Sequence, residues 1–187
     1  MDHEYLKNMT DGLDRNALLE DLMLTYGKDV WNYAYFLTRR KDLAEDIAQD
    51  VFVKAYNSLY SFRGDSPMKA WLLTITRHAT LDYLKSSWVR KVAFLTPWQQ
   101  QERSVPSAET EWFDSMEKRE IWDSVLSLPR KLREALLLYA HHHLSIKEIA
   151  ELMNLNESTV KSRLFRARAA MNRQISREQR ADGRNEP

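Results

Sequence analysis

The chain has 187 residues, of which 43% are hydrophobic and 29% are charged, and its formal net charge is +1. This composition suits a protein with a packed core and argues against a disordered chain. The sequence contains no cysteine, which excludes disulfides and thiolate metal sites. No run of about 18 apolar residues occurs, and the acidic, polar segment 1–14 does not resemble a signal peptide, so we expect a cytoplasmic protein.

The small net charge is the sum of two basic blocks and one acidic block along the chain. Segment 63–91 has six Lys or Arg residues against two Asp, and segment 158–177 has six basic residues and no acidic one. Between them, segment 102–123 has seven acidic residues against three basic ones. Two basic blocks separated by an acidic block indicate two contacts with a polyanion.

Apolar residues recur with the 3.6-residue period of an α-helix along most of the chain, and no segment alternates convincingly as a strand. We expect helices over residues 16–38, 42–60, 67–86, 108–127 and 130–143, followed by a pair of short helices within 145–171. In the turn before the third helix, Gly64 ends one helix and Ser66 is expected to cap the next, with Pro67 at its first position. The period fails at about 93–107, where two prolines and a glutamine run predict a linker.

These patterns predict an all-α fold. It consists of two small helical domains joined by a flexible linker, and the C-terminal domain is a helix-turn-helix. We place the first domain at 1–92, the linker at 93–107, the second domain at 108–176 and a disordered polar tail at 177–187.

The two short helices carry the pattern of a helix-turn-helix. Ser145 and Glu148 form a capping box at the start of the first helix, and Asn154 to Asn156 make the turn. In the second helix one apolar stripe is expected to face the core, and it comprises Val160, Leu164, Ala167 and Met171. The opposite side is basic, and there Phe165 could contact thymine methyl groups, while Lys161 and Arg166 could reach guanine edges or phosphates. The alternative is a basic surface helix whose Phe165 packs on a neighbour.

Segment 62–91 suggests a second nucleic-acid surface, because aromatic and basic residues alternate along it. Aromatic rings stack on unpaired bases for ~1–3 kcal/mol each, and cations hold the backbone. Taken singly, Trp71 and Tyr83 are better interpreted as core residues. The hypothesis that remains is that the turn 63–66 and the exposed face after it contact single-stranded DNA.

Three segments, in this order along the chain, resemble the extracytoplasmic-function sigma factors, a two-domain class of bacterial sigma factors. They read KDLAEDIAQDVFVKAY, FRGDSPMKAWLLTITRHATLDYLK and LPRKLREALLLYAHHHLSIKEIAELMNLNESTVKSRLFRARAAM. The resemblance covers most of residues 17–173. It implies an alternative sigma factor that binds core RNA polymerase and starts transcription by reading a duplex −35 element and a melted −10 strand. It implies no enzymatic activity, no cofactor and no small-molecule substrate.

The resemblance also assigns residues to each contact. The resemblance assigns docking on the clamp of the polymerase β′ subunit to Asp46, Gln49 and Asp50. The resemblance assigns contact with the melted −10 strand to Arg63, Gly64, Asp65 and Ser66, and His78 occupies a further position of this contact. The aromatic and basic pattern of segment 62–91 adds Trp71, Arg77 and Lys85. The resemblance assigns reading of the −35 duplex to Lys161, Ser162, Phe165 and Arg166, and the basic block 158–177 adds Ser158 and Arg168. Further expected partners are the polymerase β subunit and a cognate anti-sigma factor, often membrane-anchored, so that the active protein would be cytoplasmic and nucleoid-associated and the inhibited one held at the membrane.

Two positions depart from the family pattern. The family commonly has Asn at the position of His78, which puts the base preference of the −10 contact in doubt. It commonly has Gly where this chain has His143, just before the helix-turn-helix. Gly adopts a left-handed backbone most easily, but His is among the residues enriched there, so we expect His143 to tolerate this conformation.

Two other functions compete with the sigma-factor interpretation. The first is an autonomous helix-turn-helix regulator, which would bind duplex DNA without polymerase. The second is a metal-dependent enzyme that uses the run His141–His143. Adjacent helical residues point about 100° apart, so we expect no metal site there. A favourable interaction with the helix C-terminus is the expected role of these histidines. Tight zinc binding, lost when the histidines become alanine, would restore the second alternative.

Overall fold

The structure is a computed structural model that describes residues 15–59, 62, 64–86 and 116–182. This part of the chain contains seven helices and no strand. They are α1 (Arg15–Thr38), α2 (Lys41–Ser58), α3 (Met68–Lys85), α4 (Met116–Ser127), α5 (Arg130–Ala140), α6 (Ile146–Met153) and α7 (Glu157–Asp182). The all-α prediction is therefore confirmed. The expected linker at 93–107 lies outside the described residues.

Helices α1, α2 and α3 pack against one another and form the N-terminal unit. Val30, Ile47, Val51 and Leu72 have no exposed surface and lie at its centre. The buried side of α2 is the stripe of residues spaced by four that the sequence predicts, and the opposite side of α2 is polar. Burial of this stripe provides the hydrophobic free energy that holds α2 in place.

Helices α4 to α7 form the C-terminal unit, in which α6 and α7 are the helix-turn-helix. The predicted capping box is confirmed, since the Glu148 amide donates to Ser145 Oγ at 3.2 Å and the Ser145 amide donates to Glu148 Oε2 at 2.7 Å. Asn154 ends α6 in the left-handed region with φ 53°. The Asn156 side chain then accepts from the Thr159 amide at 2.8 Å and caps α7.

The start of α3 differs from the prediction that Ser66 caps it. Pro67 itself is the N-cap residue, with no side-chain cap bond, and its carbonyl accepts from the Trp71 amide at 3.1 Å. The helix begins one residue later than expected, so Ser66 lies one position too early to act as the cap. Gly64 has φ 74°, a conformation that its missing side chain allows.

Two helix ends also differ from the prediction. Helix α5 stops at Ala140, three residues early, and the chain turns through a bond from the His142 amide to Leu137 O and one from the Leu144 amide to Leu138 O. His143 has φ 59°, so the expected left-handed residue is confirmed. Helix α7 continues to Asp182, which makes the first part of the predicted tail helical.

The two units are in contact and share a core. Helix α1 packs on α5, and α3 packs on α6. In the shared cluster Tyr33 and Leu73 of the N-terminal unit lie with Leu138 and Ile149 of the C-terminal unit, and all four are at most 1% exposed. A second cluster joins Phe36 to the C-terminal unit. This closed arrangement is not predicted by the sequence, which indicates only two domains on a linker.

None of the described helices combines the length and the apolar character needed to cross a lipid bilayer.

Candidate nucleic-acid interface

Helix α7 has one buried side and one basic, exposed side. Val160, Leu164 and Ala167 are at most 4% exposed, which confirms these three members of the predicted core stripe, whereas Met171 is only partly buried. Phe165, the next residue after Leu164, is 75% exposed. The alternative in which Phe165 packs on a neighbour within the chain is therefore wrong. An aromatic side chain held in water on a basic helix is available to a partner.

All six residues assigned to the −35 contact are exposed. Their spacings of three, four and seven residues place them along one side of the helix. Three have local partners: the Ser158 hydroxyl donates to Asn156 Oδ1 at 2.9 Å, Lys161 Nζ lies 3.7 Å from Glu157, and the Arg168 guanidinium lies 5.3 Å from the centre of the Tyr139 ring. Such contacts orient the side chains while they remain exposed on the same face.

Several of the residues assigned to the −10 strand lie along one side of α3 in the N-terminal unit. Trp71, His78 and Lys85 follow at seven-residue intervals on α3, which places them on one stripe next to the turn at 64–66. His78 and Lys85 are exposed, whereas Trp71 is half-buried, with its ring centre 5.0 Å from that of Phe62. Trp71 is thus partly a core residue, and Arg63 lies outside the described residues.

Arg77 is not brought together with these residues. Its Nε donates to Glu134 Oε1 of the C-terminal unit at 2.7 Å, and only 17% of the Arg77 side chain is exposed. The same carboxylate oxygen accepts from the Tyr33 hydroxyl at 3.1 Å, and Glu134 is 3% exposed. Burial, with the negative charge of Glu134, raises the pKa of Tyr33 well above its usual value. Glu134 thus links both units and covers a predicted DNA contact.

The residues assigned to polymerase docking lie on the exposed side of α2. Asp46 and Gln49 are exposed, and Asp50 is partly exposed with its Oδ2 3.9 Å from Lys54 Nζ. Val53 continues this stripe and is 60% exposed. The sequence prediction omitted Val53. Its position outside the apolar stripe of residues spaced by four already indicates that Val53 lies on the exposed side of α2. An apolar side chain among carboxylates adds a hydrophobic contact to this face.

A cluster of two histidines and a carboxylate lies where the units meet. His142 Nδ1 is 3.1 Å from Asp29 Oδ1, and Lys69 Nζ is 3.0 Å from Asp29 Oδ2. Although partial burial opposes it, hydrogen bonds from His142 and Lys69 lower the pKa of Asp29. Burial lowers the pKa of His141 to about 4, and it also lowers the pKa of His142.

This cluster corrects two expectations about the histidine run. Burial lowers the pKa of both rings and disfavours their charged form, which argues against the expected role of His141 and His142 as positive charges at the end of α5. The argument from helical spacing also fails, because α5 ends at Ala140 and the turn that follows brings the two ring centres to 4.8 Å. His143 is exposed and does not belong to this group.

Comparison with known proteins identifies both units. The model of sigma-70 region 2 matches residues 22–90, and the model of sigma-70 region 4 matches residues 118–171. The chain is 30% identical over 171 residues to the RNA polymerase sigma factor YlaC of Bacillus subtilis, covering 85% of this chain and 92% of YlaC. It is 34% identical over 153 residues to the ECF RNA polymerase sigma-E factor of Haemophilus influenzae, covering 76% of this chain and 80% of that protein.

A solved structure agrees with these relatives. The sigma factor RpoE of Bartonella quintana, crystallised with the anti-sigma factor NepR, matches with a TM-score of 0.70 and 25% identity, over 84% of this chain and 96% of RpoE. The matched regions include the helix-turn-helix with its exposed basic face and the N-terminal unit with the α2 and α3 surfaces. The chain therefore belongs to the extracytoplasmic-function sigma factors and directs RNA polymerase in transcription initiation.

Proposed function

We propose that the two units divide promoter recognition between them. The exposed side of α7 reads the −35 duplex in the major groove, and the turn at 64–66 with the exposed stripe of α3 holds the unpaired −10 strand. The α2 face that includes Asp46, Gln49 and Asp50 docks on the clamp of the β′ subunit. The observation that carries this proposal is the exposure of Phe165 and five polar or basic residues on one side of a helix whose other side is buried.

The finer assignments follow from this division. Residues 1–92 are the polymerase-binding and −10 domain, 108–176 are the −35 domain, and the polymerase β subunit is a further partner. The protein acts in the cytoplasm, on the nucleoid, and catalyses no reaction itself. RpoE of Bartonella quintana binds the anti-sigma factor NepR, and we propose that an anti-sigma factor likewise inhibits this chain and can hold it at the membrane.

The closed arrangement must open before both promoter elements are bound. The −35 and −10 elements lie roughly 25 base pairs apart, which is about 85 Å of duplex. The predicted linker 93–107 reaches at most ~54 Å when fully extended, and each domain adds a radius near ~15 Å, so the two together reach about 84 Å. The span is thus reachable only with an extended linker and separated units. Arg77 becomes available to DNA only when Glu134 leaves it.

Polymerase can begin the opening, because the α2 face is exposed in the closed form. Breaking the Arg77–Glu134 pair leaves two charges in need of partners, and removing one partner of a buried pair typically costs ~3–5 kcal/mol. Water and promoter phosphates supply replacements for the arginine. Contacts with polymerase and stacking of −10 bases offset the remaining cost, including that of melting the duplex.

The test is runoff transcription with core polymerase on genomic DNA, followed by mapping of the start sites. We expect this chain to direct initiation from a defined set of promoters, and Arg166→Ala to weaken −35-dependent transcription without loss of polymerase affinity. Loss of polymerase affinity in that variant would contradict the division between units. An electrophoretic shift without polymerase separates the two functions: an autonomous regulator binds its duplex site alone, whereas a sigma factor of this kind binds it weakly or not at all.

A further inference from the structure

The cluster at the junction of the units has the donor set of a transition-metal site. One nitrogen each from His141 and His142 and one oxygen of Asp29 all lie within 4.8 Å of one another. This is the single group of three such side chains found among the described residues. Two imidazoles and a carboxylate suit zinc and its neighbours in the first transition row, whereas Mg²⁺ and Ca²⁺ prefer oxygen ligands alone.

One edge of the site already has the dimensions of a coordination shell. Two ligands bonded at about 2.1 Å to a tetrahedral ion lie roughly 3.4 Å apart. His142 Nδ1 and Asp29 Oδ1 are separated by 3.1 Å. Completion of the site requires the donor nitrogen of His141, which lies within 4.8 Å of the other two ligand atoms, to move closer to this edge. The backbone holds both histidines in the turn after α5.

Binding of an ion through Nδ1 requires the His142 tautomer that carries its proton on Nε2. The His142 side chain has no exposed surface, and its Nε2 is buried without a hydrogen-bond partner among the described residues. A ring that carries its proton on Nε2 offers the Nδ1 lone pair, and the bond to the ion must then outweigh the cost of a buried N–H without an acceptor. In that form the ion takes the place of the proton between Nδ1 and Oδ1.

The surroundings of the three donors resemble those of a metal site. Lys69 donates to Asp29 Oδ2, the oxygen that does not face His142, and so fixes the carboxylate from outside. Rings enclose the histidines: Trp122 meets His141 edge-on at 5.5 Å, and Tyr33 meets His142 edge-on at 5.6 Å. Such packing restricts solvent access and limits the orientations of both imidazoles.

We propose that Asp29, His141 and His142 bind a divalent transition-metal ion of the Zn²⁺ class, and that this ion ties the N-terminal unit to the C-terminal unit. Asp29 belongs to α1, whereas both histidines belong to the C-terminal unit. An ion that binds all three favours the closed form by its differential affinity for it. Metal thus holds the sigma factor in the state that covers Arg77. The regulatory part rests on the proposed function, and metal binding itself does not.

The binding test uses the untagged full-length chain, free of polymerase and DNA, titrated with Co²⁺ and followed by visible absorption, and then with Zn²⁺ by calorimetry. We expect one ion per chain and displacement of Co²⁺ by Zn²⁺. Asp29→Asn and His142→Ala should each weaken binding by more than about tenfold. Circular dichroism of each variant checks its fold, and Asp29→Asn keeps the test valid if His142→Ala unfolds.

His143 supplies the matched control, since it belongs to the same run but is exposed and lies outside the cluster. His143→Asn keeps a residue that tolerates φ 59° and should leave metal affinity unchanged. The proposal is overturned if His143→Asn loses as much metal affinity as the cluster variants, or if all variants bind metal equally. It is also overturned if the parent chain does not bind one ion per chain.

The distance between spin labels on the two units shows whether the chain is in the closed or the open form. The chain has no native cysteine, so Glu20→Cys on α1 and Ile121→Cys on α4 provide exposed spin-label positions in an otherwise unlabelled protein. Zn²⁺ should increase the population with the short distance of the closed form, and the same labels in the Asp29→Asn variant should not respond. Metal binding without any change in these distances would overturn the bridging role. Neither measurement depends on transcription, so failure of the proposed function would be recognised separately.

Discussion

Leu164 and Phe165 are neighbours on α7 with opposite environments. Leu164 is 4% exposed and packs in the core, whereas Phe165 is 75% exposed on the basic side. Burial of a leucine stabilises the fold, while an exposed phenylalanine gains nothing from folding. Substitution at the two positions should therefore separate stability from promoter recognition.

We expect Phe165→Ala to leave the free energy of unfolding within about 0.5 kcal/mol of the parent, because the side chain loses no packing. Transcription that depends on the −35 element should fall roughly five- to thirtyfold, corresponding to ~1–2 kcal/mol of lost base contact. Leu164→Ala is the control and should cost ~2–5 kcal/mol of stability. Urea unfolding and runoff transcription measure the two effects. Unaltered −35 dependence in Phe165→Ala would remove this residue from the interface.

Asp50 tests the polymerase-docking face. Asp50→Lys should reduce affinity for core polymerase by more than about tenfold, because the proposed docking site attracts the Asp50 carboxylate and would repel a positive charge at this position. Its ion pair with Lys54 is half exposed and spans 3.9 Å, so stability should change by less than about 1 kcal/mol.

Fluorescence anisotropy with labelled chain and core enzyme measures this affinity. Glu20→Lys makes the same charge change at an exposed position on α1 and should leave the affinity unaltered. Equal affinities for parent and Asp50→Lys would mean that polymerase docks elsewhere.

The helices follow from local sequence where periodicity and caps agree. The stripe of α2, the capping box of α6 and the core side of α7 are all predicted from residue spacing, because each depends on neighbours within two turns. The N-cap of α3 is not predicted correctly. Pro67 has an extended backbone suited to the N-cap, and residue spacing alone does not distinguish Pro67 from Ser66. The left-handed His143 is predictable only from the resemblance.

The capping box gives a prediction for α6. Ser145→Ala removes the acceptor of the Glu148 amide, and we expect a loss of about 1 kcal/mol in the stability of the C-terminal unit. Ser145→Asp keeps an acceptor at the same position and should recover most of this loss. Thermal unfolding followed by circular dichroism compares the three proteins. A Ser145→Ala variant as stable as the parent would show that packing alone starts the helix.

The contact between the units forms where an apolar face of α1 packs on the C-terminal unit, and the sequence predicts each apolar face but not their contact. Tyr33 and Leu37 lie on the periodic face of α1, and the sequence contains no signal that their partners come from the C-terminal unit. Glu134 and Arg77 are far apart in the chain, and a single carboxylate in a helix normally indicates a solvated position. The candidate contacts on α7 were predictable, whereas the burial of Arg77 was not.

Glu134→Gln should shift the free chain towards the open form, because Arg77 loses its charged partner while the side-chain shape is kept. We expect a longer mean distance between labels on the two units and tighter binding of single-stranded −10 DNA by the free chain. Glu151→Gln removes a charge from an exposed position on α6 and serves as the control. If the distances and the DNA affinity match the parent, the Arg77–Glu134 pair does not hold the units together.

Because Glu134 and Arg77 belong to one polypeptide, the carboxylate meets the guanidinium at an effective concentration of roughly millimolar or above. A phosphate on stray nucleic acid arrives from dilute solution and rarely displaces it. Under the proposed function, polymerase presents the promoter at a comparable local concentration, and the exchange favours DNA only then. Nonspecific nucleic acid would therefore rarely engage Arg77 in the free protein.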